Sequence, residues 1–98
     1  MSSYIFAPAA DGDLIEIYLY TAEKWGRDQA DLYTGRIVDT CRRIASGDVR
    51  GRLIPGFAGK YLKATIGSHF IVYRQDAGIV IVVRILHQRM DIASHIED

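Results

Sequence analysis

The sequence predicts an α+β fold of the order β-α-α-β-β-β, with a helix hairpin packed on a mostly antiparallel, four-stranded sheet. Three observations lead to this prediction. Two long helical patterns occupy the first half of the chain, three strand-like runs fill residues 61–86, and tight turns separate those runs. A chain of 98 residues has room for one hydrophobic core between two packed layers. We therefore expect residues 1–98 to form a single domain.

The first strand and the first helix are predicted near the N-terminus. Residues 3–6 alternate as a short strand, and Pro8 suits the first turn of a helix, where its missing N–H costs nothing. One face of that helix carries apolar residues at spacings of four, four and three: Leu14, Tyr18, Ala22 and Trp25. We expect this face, including Trp25, to pack in the core, and Gly26 to end the helix.

The second helix has the clearer pattern. Its apolar positions recur at spacings of three, four, four and three: Ala30, Tyr33, Ile37, Cys41 and Ile44. Residues 46–48 end it, and so few residues separate the two helices that we expect an antiparallel hairpin. Cys41 lies on the buried stripe, where a free cysteine acts as a small apolar residue.

The second half of the chain predicts a loop followed by a three-stranded meander. Glycine and proline punctuate residues 49–59, which are therefore expected to form a loop. Strands are predicted over residues 61–66, 69–75 and 79–86, with Gly67-Ser68 as a two-residue type II′ turn. Residues 90–98 are expected to form a polar tail or a short helical turn.

The last predicted strand is apolar on both faces, as a central strand must be. We therefore expect the first strand to join the sheet beside it. Ile81 and Val83 should lie on one face of the central strand, with Val80 and Val82 on the other. All four are expected to be largely buried.

Composition places the chain among soluble globular proteins, since 49% of its residues are apolar, 24% are charged and the net charge is zero. A single cysteine rules out an intramolecular disulfide. The N-terminal residues do not resemble an export signal, and the longest apolar run is too short to cross a bilayer. We expect a cytoplasmic protein without membrane contact. The histidines and Cys41 lack the paired spacings of a metal site, so neither metal nor cofactor is expected.

Charge is distributed unevenly along the chain. Residues 50–89 carry seven bases and one acid, a net charge of +6, whereas residues 1–49 and residues 90–98 each carry −3. Such a chain can present a basic face while remaining neutral overall. A basic face suits an acidic protein surface or a nucleic acid, so charge alone does not select the partner.

A polar segment ends the last strand. His87, Gln88 and Arg89 follow an apolar run directly, and three such residues in a row must lie near solvent or a partner. The spacing of the basic residues alone leaves three interpretations open. Arg74 and Arg84 suit a phosphate clamp, with His87 as the acid–base group in RNA cleavage. The same residues suit recognition of a partner protein, or they simply extend from strand ends towards solvent.

Several motifs along residues 4–95 occur in an order and spacing that resemble a known family. They are Ala7-Pro8-Ala9-Ala10, Asp13-Leu14 with Ile17, Trp25-Gly26, Tyr33, Gly67-Ser68-His69, Tyr73-Arg74 and residues 84–91. Together they resemble the ParE branch of the RelE/ParE bacterial toxins. Gly12 in the first helix and the glycine-rich residues 50–59 depart from the family pattern.

The resemblance implies the toxin of a type II toxin–antitoxin pair, acting on DNA gyrase and neutralised by a ParD-like antitoxin. Specific nucleic-acid binding by the toxin itself is not expected, and His87, Gln88 and Arg89 become candidates for target binding. The related RelE branch instead cleaves messenger RNA on the ribosome, which would give Arg74, Arg84 and His87 catalytic roles. Residues 49–66 contain no Asp or Glu to act as a base, which favours binding over catalysis. A non-toxic interaction module of the same fold is the third alternative.

The chain has more apolar surface than two layers can bury. Ile15, Leu19 and Leu32 fall outside the principal helix stripes, and basic residues cluster later in the chain at Arg52, Lys60 and Lys63. We expect these six residues to border one apolar groove with a basic rim. An acidic amphipathic segment of the antitoxin would fill that groove.

Overall fold

The computed structural model describes residues 3–96, and its elements follow the predicted order with one additional strand. In chain order they are β1 (Ser3–Phe6), α1 (Pro8–Trp25), α2 (Arg27–Ser46), β2 (Arg52–Leu53), β3 (Leu62–Ile66), β4 (His69–Asp76), β5 (Ile79–His87) and a 3-10 helix (Ile92–His95). Residues 97 and 98 of the predicted polar tail lie outside the described residues. Within residues 3–96, no helix is long and apolar enough to cross a membrane.

The strands form one five-stranded sheet in the order β1-β5-β4-β3-β2. Strand β1 runs parallel to β5, and the other neighbours are antiparallel. The α+β class and the position of β1 beside the last strand, β5, are confirmed. The predicted number of four strands is wrong, because Arg52 and Leu53 pair with Lys63 and Leu62 inside the predicted loop. Both residues of β2 are exposed, so burial imposes no apolar alternation on them.

The helices begin and end at the residues that backbone chemistry favours. Pro8 occupies the first turn of α1, where no N–H is needed. Gly26 is the single residue between the helices and has φ of 94°, a value that glycine adopts without a steric penalty. The predicted helix end at Gly26 is therefore confirmed. Gly47 ends α2 in the left-handed conformation and donates its N–H to the Ile44 carbonyl.

The two helices bury their faces to different extents. The predicted stripe of α2 is confirmed, since Ile37 and Cys41 are fully buried. Burial raises the pKa of the Cys41 thiol to about 12, so this cysteine stays protonated and unreactive.

The predicted stripe of α1 is wrong at Tyr18 and Trp25. Ile17 packs against the core and Thr21 is buried in their place, whereas the Tyr18 hydroxyl donates to Asp31 at the surface and Trp25 is 73% exposed. Trp25 is the last residue of α1 and borders an open cavity instead of the core.

Each face of the sheet has its own core. On the helix side, Ile37 and Cys41 of α2 pack with Ile71, Val82 and their neighbours. The opposite face holds a smaller cluster, covered by the loop before β3 and by the C-terminal 3-10 helix: Ile54, Tyr61, Val72, Leu86 and Ile96. This cover is thinner than a helix layer. Val80 and Val82 are accordingly buried as predicted, whereas Ile81 and Val83 are only half-buried.

Strand β5 contains one extra residue that changes which side chains face the helices. Val72 pairs with Arg84 whereas the next residue, Tyr73, pairs with Val82, so Val83 has no opposite partner. This is a β-bulge, in which two residues oppose one and the alternation of faces is interrupted. Val82 and Ile85 both pack in the helix-side core although they are three positions apart, an odd spacing that regular alternation would place on opposite faces. Alternation from Ile85 then places His87 on the helix side of the sheet.

We predict that Val82→Ala lowers the free energy of unfolding by about 1–3 kcal/mol, because a fully buried methyl pair leaves a cavity. Val83→Ala is the matched control, since it removes the same atoms from a half-buried position at the bulge. Chemical denaturation of both variants measures the difference. An equal loss at the two positions would contradict the described burial of β5.

Candidate functional site

The segment that ends β5 is held rigidly although its side chains are open to solvent. Gln88 donates its backbone N–H to the Ser68 carbonyl at 2.9 Å and its side-chain N–H to the Gly67 carbonyl at 2.8 Å. Met90 donates its N–H to the His87 carbonyl at 2.9 Å, which closes a turn. Gln88 and Arg89 are exposed at this turn. The predicted target-binding residues therefore form one fixed, accessible surface, the 87–89 segment.

Two residues that sequence reasoning did not place at this site lie directly against it. His69 is the register partner of His87, and the two imidazole rings lie 5.3 Å apart in an edge-to-face arrangement. The Tyr33 hydroxyl of α2 lies 2.6 Å from His69 Nδ1. Burial lowers the pKa of His69, the neighbouring His87 lowers it further, and Asp13 opposes the shift. His69 therefore stays neutral over more of the pH range than an exposed histidine.

A carboxylate of α1 holds β5 just before the 87–89 segment. Asp13 receives two hydrogen bonds from the Arg84 guanidinium, at 2.7 and 2.8 Å, and one from the Ile85 N–H at 2.9 Å. The hydrogen bond to Asp13 raises the pKa of Arg84. The third nitrogen of Arg84 donates to the His95 carbonyl at 3.0 Å. Arg84 therefore links α1, β5 and the C-terminal 3-10 helix through its hydrogen bonds to Asp13 and to the His95 carbonyl.

The three residues proposed for a nuclease do not converge. Arg74 lies near the opposite end of β4, 3.7 Å from Asp76, with its backbone paired to Ile81. Arg74 lies five positions along the strand from His69, the partner of His87, which amounts to roughly 17 Å. Arg84 is occupied by Asp13. The structure therefore brings His87 together with His69 and Tyr33 instead.

A cavity of about 830 Å³ opens between the helix hairpin and this end of the sheet. Its walls include Glu16, Tyr20, Trp25, Tyr33, His69 and His87. Such a volume falls in the range of small-molecule or side-chain pockets. Within residues 3–96, no group of three or more His, Cys, Asp or Glu side chains is arranged to hold a metal ion. The groups that line the cavity are two imidazoles, the carboxylates of Asp13 and Glu16, and aromatic side chains.

The six antitoxin-binding candidates occupy two separate surfaces. Ile15, Leu19 and Leu32 are 50–62% exposed on the helix hairpin, and a groove of about 500 Å³ between α1 and α2 includes Ile15. Lys63 alternates with residues that face the helices, and its Nζ lies 4.5 Å from the Phe70 ring centroid on the opposite face.

Arg52 is paired with Lys63 at the β2 edge, and Lys60 Nζ lies 5.4 Å from the Tyr61 ring centroid in the loop over that opposite face. The expectation of a single groove bordered by all six residues is therefore wrong. The period of two in β3 separates Lys63 from the helix layer.

Comparison with known proteins agrees with this architecture. A family model described as the ParE toxin of type II toxin–antitoxin systems matches residues 4–92. Toxin ParE1 of Mycobacterium tuberculosis is 39% identical over 92 residues, which cover 93% of this chain and 94% of the relative. Toxin ParE1 of Caulobacter vibrioides is 30% identical over 98% of this chain and 99% of its own.

A solved chromosomal ParDE system from P. aeruginosa has the same fold, with a TM-score of 0.72, 20% identity and coverage of 89% of this chain and 95% of that one. The RelBE2 toxin–antitoxin complex of M. tuberculosis is more distant, with a TM-score of 0.55, 19% identity and coverage of 89% and 98%. The chain therefore shares its α+β fold with solved proteins of the RelE/ParE toxin superfamily.

Within that superfamily, the chain belongs to the ParE toxins of type II toxin–antitoxin systems. The family that the sequence motifs resemble is thereby confirmed.

We predict that the Asp13–Arg84 ion pair contributes strongly to the stability of the fold. A double-mutant cycle with Asp13→Asn and Arg84→Gln should give a coupling energy of about 1–3 kcal/mol, because both groups are largely removed from water. Asp39 and Arg42 form an exposed ion pair on α2 and provide the control cycle. The control coupling should not exceed about 0.5 kcal/mol. Equal coupling energies in the two cycles would contradict the proposed role of Asp13.

Proposed function

We propose that this toxin acts by binding DNA gyrase through the 87–89 segment, and that a ParD-like antitoxin neutralises it. Gyrase is the target that the resemblance to ParE toxins implies. The observation that supports binding is the combination of an exposed Gln88 and Arg89 with a backbone fixed by hydrogen bonds to the β3–β4 turn. A fixed polar surface recognises a partner without a large ordering cost.

The arrangement of the basic residues favours recognition over RNA cleavage. A phosphate clamp needs positive side chains aimed at one point. Here Arg84 is bound by Asp13, and Arg74 lies at the far end of β4. Arg89 has its side chain exposed beside His87, so it is the cation that is best placed to contact a target.

The two candidate antitoxin surfaces suit one partner that wraps around the toxin. An amphipathic helix would lie against Ile15 and Leu19 on α1 and Leu32 on α2, helix in groove. An extended acidic stretch of the same partner would continue to the basic edge at Arg52 and Lys63, with Lys60 beyond it. A stable pair of this kind should bury at least about 1,200 Å².

Ribosome-dependent cleavage of messenger RNA is a second candidate, and one observation favours it. Tyr33, His69 and His87 lie together beside an open cavity, and groups of these types exchange protons in acid–base catalysis. In that case the reacting pair would be His69 and His87, without Arg74. An interaction module that has lost its toxicity is the third candidate. A neighbouring gene for a ribbon-helix-helix antitoxin would count against that third candidate.

We predict that Arg89→Ala strongly weakens inhibition of purified gyrase in a supercoiling assay and relieves growth arrest on induction. The substitution removes an exposed cation while keeping the backbone N–H that His87 accepts. Arg50→Ala is the matched control, because it removes an exposed arginine outside the segment. We expect this control to inhibit gyrase as the natural sequence does.

Growth that continues unaffected while soluble protein accumulates would contradict a toxin. Growth arrest with undiminished supercoiling and fragmented messenger RNA would instead support the nuclease. Growth on induction, gyrase supercoiling and the integrity of messenger RNA together separate all three candidates.

We predict that reversing charge at Lys60 and Lys63 to Glu weakens antitoxin binding while gyrase inhibition persists. The proposed acidic segment would meet repulsion at these positions, and the weakening should shrink at high salt. Titration calorimetry with the antitoxin measures the affinity, and the double variant Lys24→Glu with Arg27→Glu on the helix hairpin is the control with the same change of total charge. Unchanged affinity in the double variant would place the antitoxin on another surface.

A further inference from the structure

Tyr33 connects helix α2 to the turn between β3 and β4. Its hydroxyl accepts the Ser68 N–H at 3.0 Å and lies 2.6 Å from His69 Nδ1. The ring packs so closely on the turn that a Cβ at Gly67 would lie 2.7 Å from the hydroxyl. The Tyr33 side chain therefore contacts both residues that follow Gly67. A Cβ at position 67 would collide with the Tyr33 ring, so this position of the turn favours glycine.

The direction of the short hydrogen bond between the Tyr33 hydroxyl and His69 Nδ1 is inferred by comparing the distances from the hydroxyl to its two possible acceptors. The Ile66 carbonyl is 3.4 Å from the Tyr33 hydroxyl, beyond the usual range of 2.5–3.0 Å for O–H···O bonds. We therefore infer that the hydroxyl donates to His69 Nδ1, which assigns the proton of the neutral His69 to Nε2. This bond favours the neutral imidazole, as burial also does.

The turn that Tyr33 holds is the turn on which the 87–89 segment rests. Ser68 and Gly67 supply the two carbonyls that accept hydrogen bonds from Gln88. His87 packs edge-to-face on His69 and accepts the Arg89 N–H on Nδ1 at 3.1 Å. The chain of contacts thus runs from the helix layer through the turn to the exposed surface, without a gap.

We propose that Tyr33 is a positioning residue for target binding, which orients the 87–89 segment through the β3–β4 turn and the His69–His87 pair. This inference rests on the proposed gyrase-binding function. Tyr33 does not itself contact the target in this proposal. It keeps His69 neutral and the turn fixed, so that Gln88 and Arg89 present one geometry.

The same contacts imply a dependence on pH. His87 accepts the Arg89 N–H only while its Nδ1 is unprotonated. The charged groups that face the histidine pair are Asp13 and Glu16 of α1 and Arg84 of β5, with Arg89 in the segment itself. The pKa of His69 is lower in the folded chain than its ordinary value of 6.5, so the unfolded chain binds the proton first. Stability therefore falls as the pH decreases below about 6.5.

The test compares Tyr33→Phe with Tyr18→Phe in the full chain. Tyr18 is the matched control, because its hydroxyl also makes a helix-to-helix hydrogen bond, to Asp31 at 3.1 Å, without touching the β3–β4 turn. Long-range ¹H–¹⁵N spectra report the tautomer and pKa of His69 and His87, and a supercoiling assay reports gyrase inhibition. For Tyr33→Phe we expect the pKa of His69 to rise, the Arg89 amide signal to shift and inhibition to weaken roughly three- to tenfold. Tyr18→Phe should change none of these.

A second pair of variants tests the contact between Tyr33 and the β3–β4 turn by changing the turn instead of Tyr33. Gly67→Ala would drive Tyr33 from the turn by collision, whereas Gly78→Ala adds a side chain at a similar positive φ with open space around it. Both substitutions strain the backbone at a positive φ, but only Gly67→Ala also collides with Tyr33. Only Gly67→Ala should therefore alter the His69 and Arg89 signals.

Unchanged His69 and Arg89 signals in Tyr33→Phe would overturn the inference, as would weaker inhibition without any spectral change. If the natural sequence fails to inhibit gyrase, the proposed function is wrong. The spectra still decide whether Tyr33 orients the segment.

Discussion

The extra residue at Val83 determines which face of the sheet carries His87, and the proposed target-binding surface depends on that placement. Without the bulge, strict alternation from Val82 would turn His87 to the thinly covered face of the sheet, away from α1 and α2. The bulge restores His87 to the helix side, where it meets His69 and the cavity beneath the hairpin. Every contact of the 87–89 segment with the helix layer depends on this single irregularity. Bulges are used in this way elsewhere to redirect side chains near functional sites.

Asp13 accepts a hydrogen bond from a backbone N–H of β5 that lies beyond the reach of the short β1. Pairing with β1 ends where the Ala7 N–H meets the Val82 carbonyl, and β5 continues beyond that point without a neighbour on this side. An unpaired N–H there would be costly to bury and would invite pairing with another chain. The Asp13 carboxylate accepts the Ile85 N–H and neutralises Arg84 in the same contact. Helix α1 therefore completes the sheet as well as covering it.

Local patterns predicted the parts of the fold that depend on local chemistry. Pro8, Gly26 and the α2 stripe fixed the helix hairpin, and Gly67-Ser68 fixed the first tight turn. Regular pairing through the second turn, Ala77-Gly78, would place His69 opposite Leu86, one residue from its observed partner. A bulge has no reliable sequence pattern, so the His69–His87 pair was not predicted.

The Asp13–Arg84 pair joins residues 71 positions apart, which periodicity within one element cannot indicate. Trp25 shows a second limit of predictions from periodicity. Helical spacing marks the face of a side chain, but only the extent of the sheet beneath decides whether that face is covered.

The order of the strands has a consequence for biosynthesis. Strand β5 is the last strand in chain order, and β1, the first described strand, pairs with no other strand, so β1 can join the sheet only after β5 has been synthesised. A chain that ends before Ile79 contains the helix hairpin and two strands of the meander, and it lacks the strand that holds β1 in the sheet. Such a chain also lacks the 87–89 segment, so under the proposed function a truncated product would not bind the target.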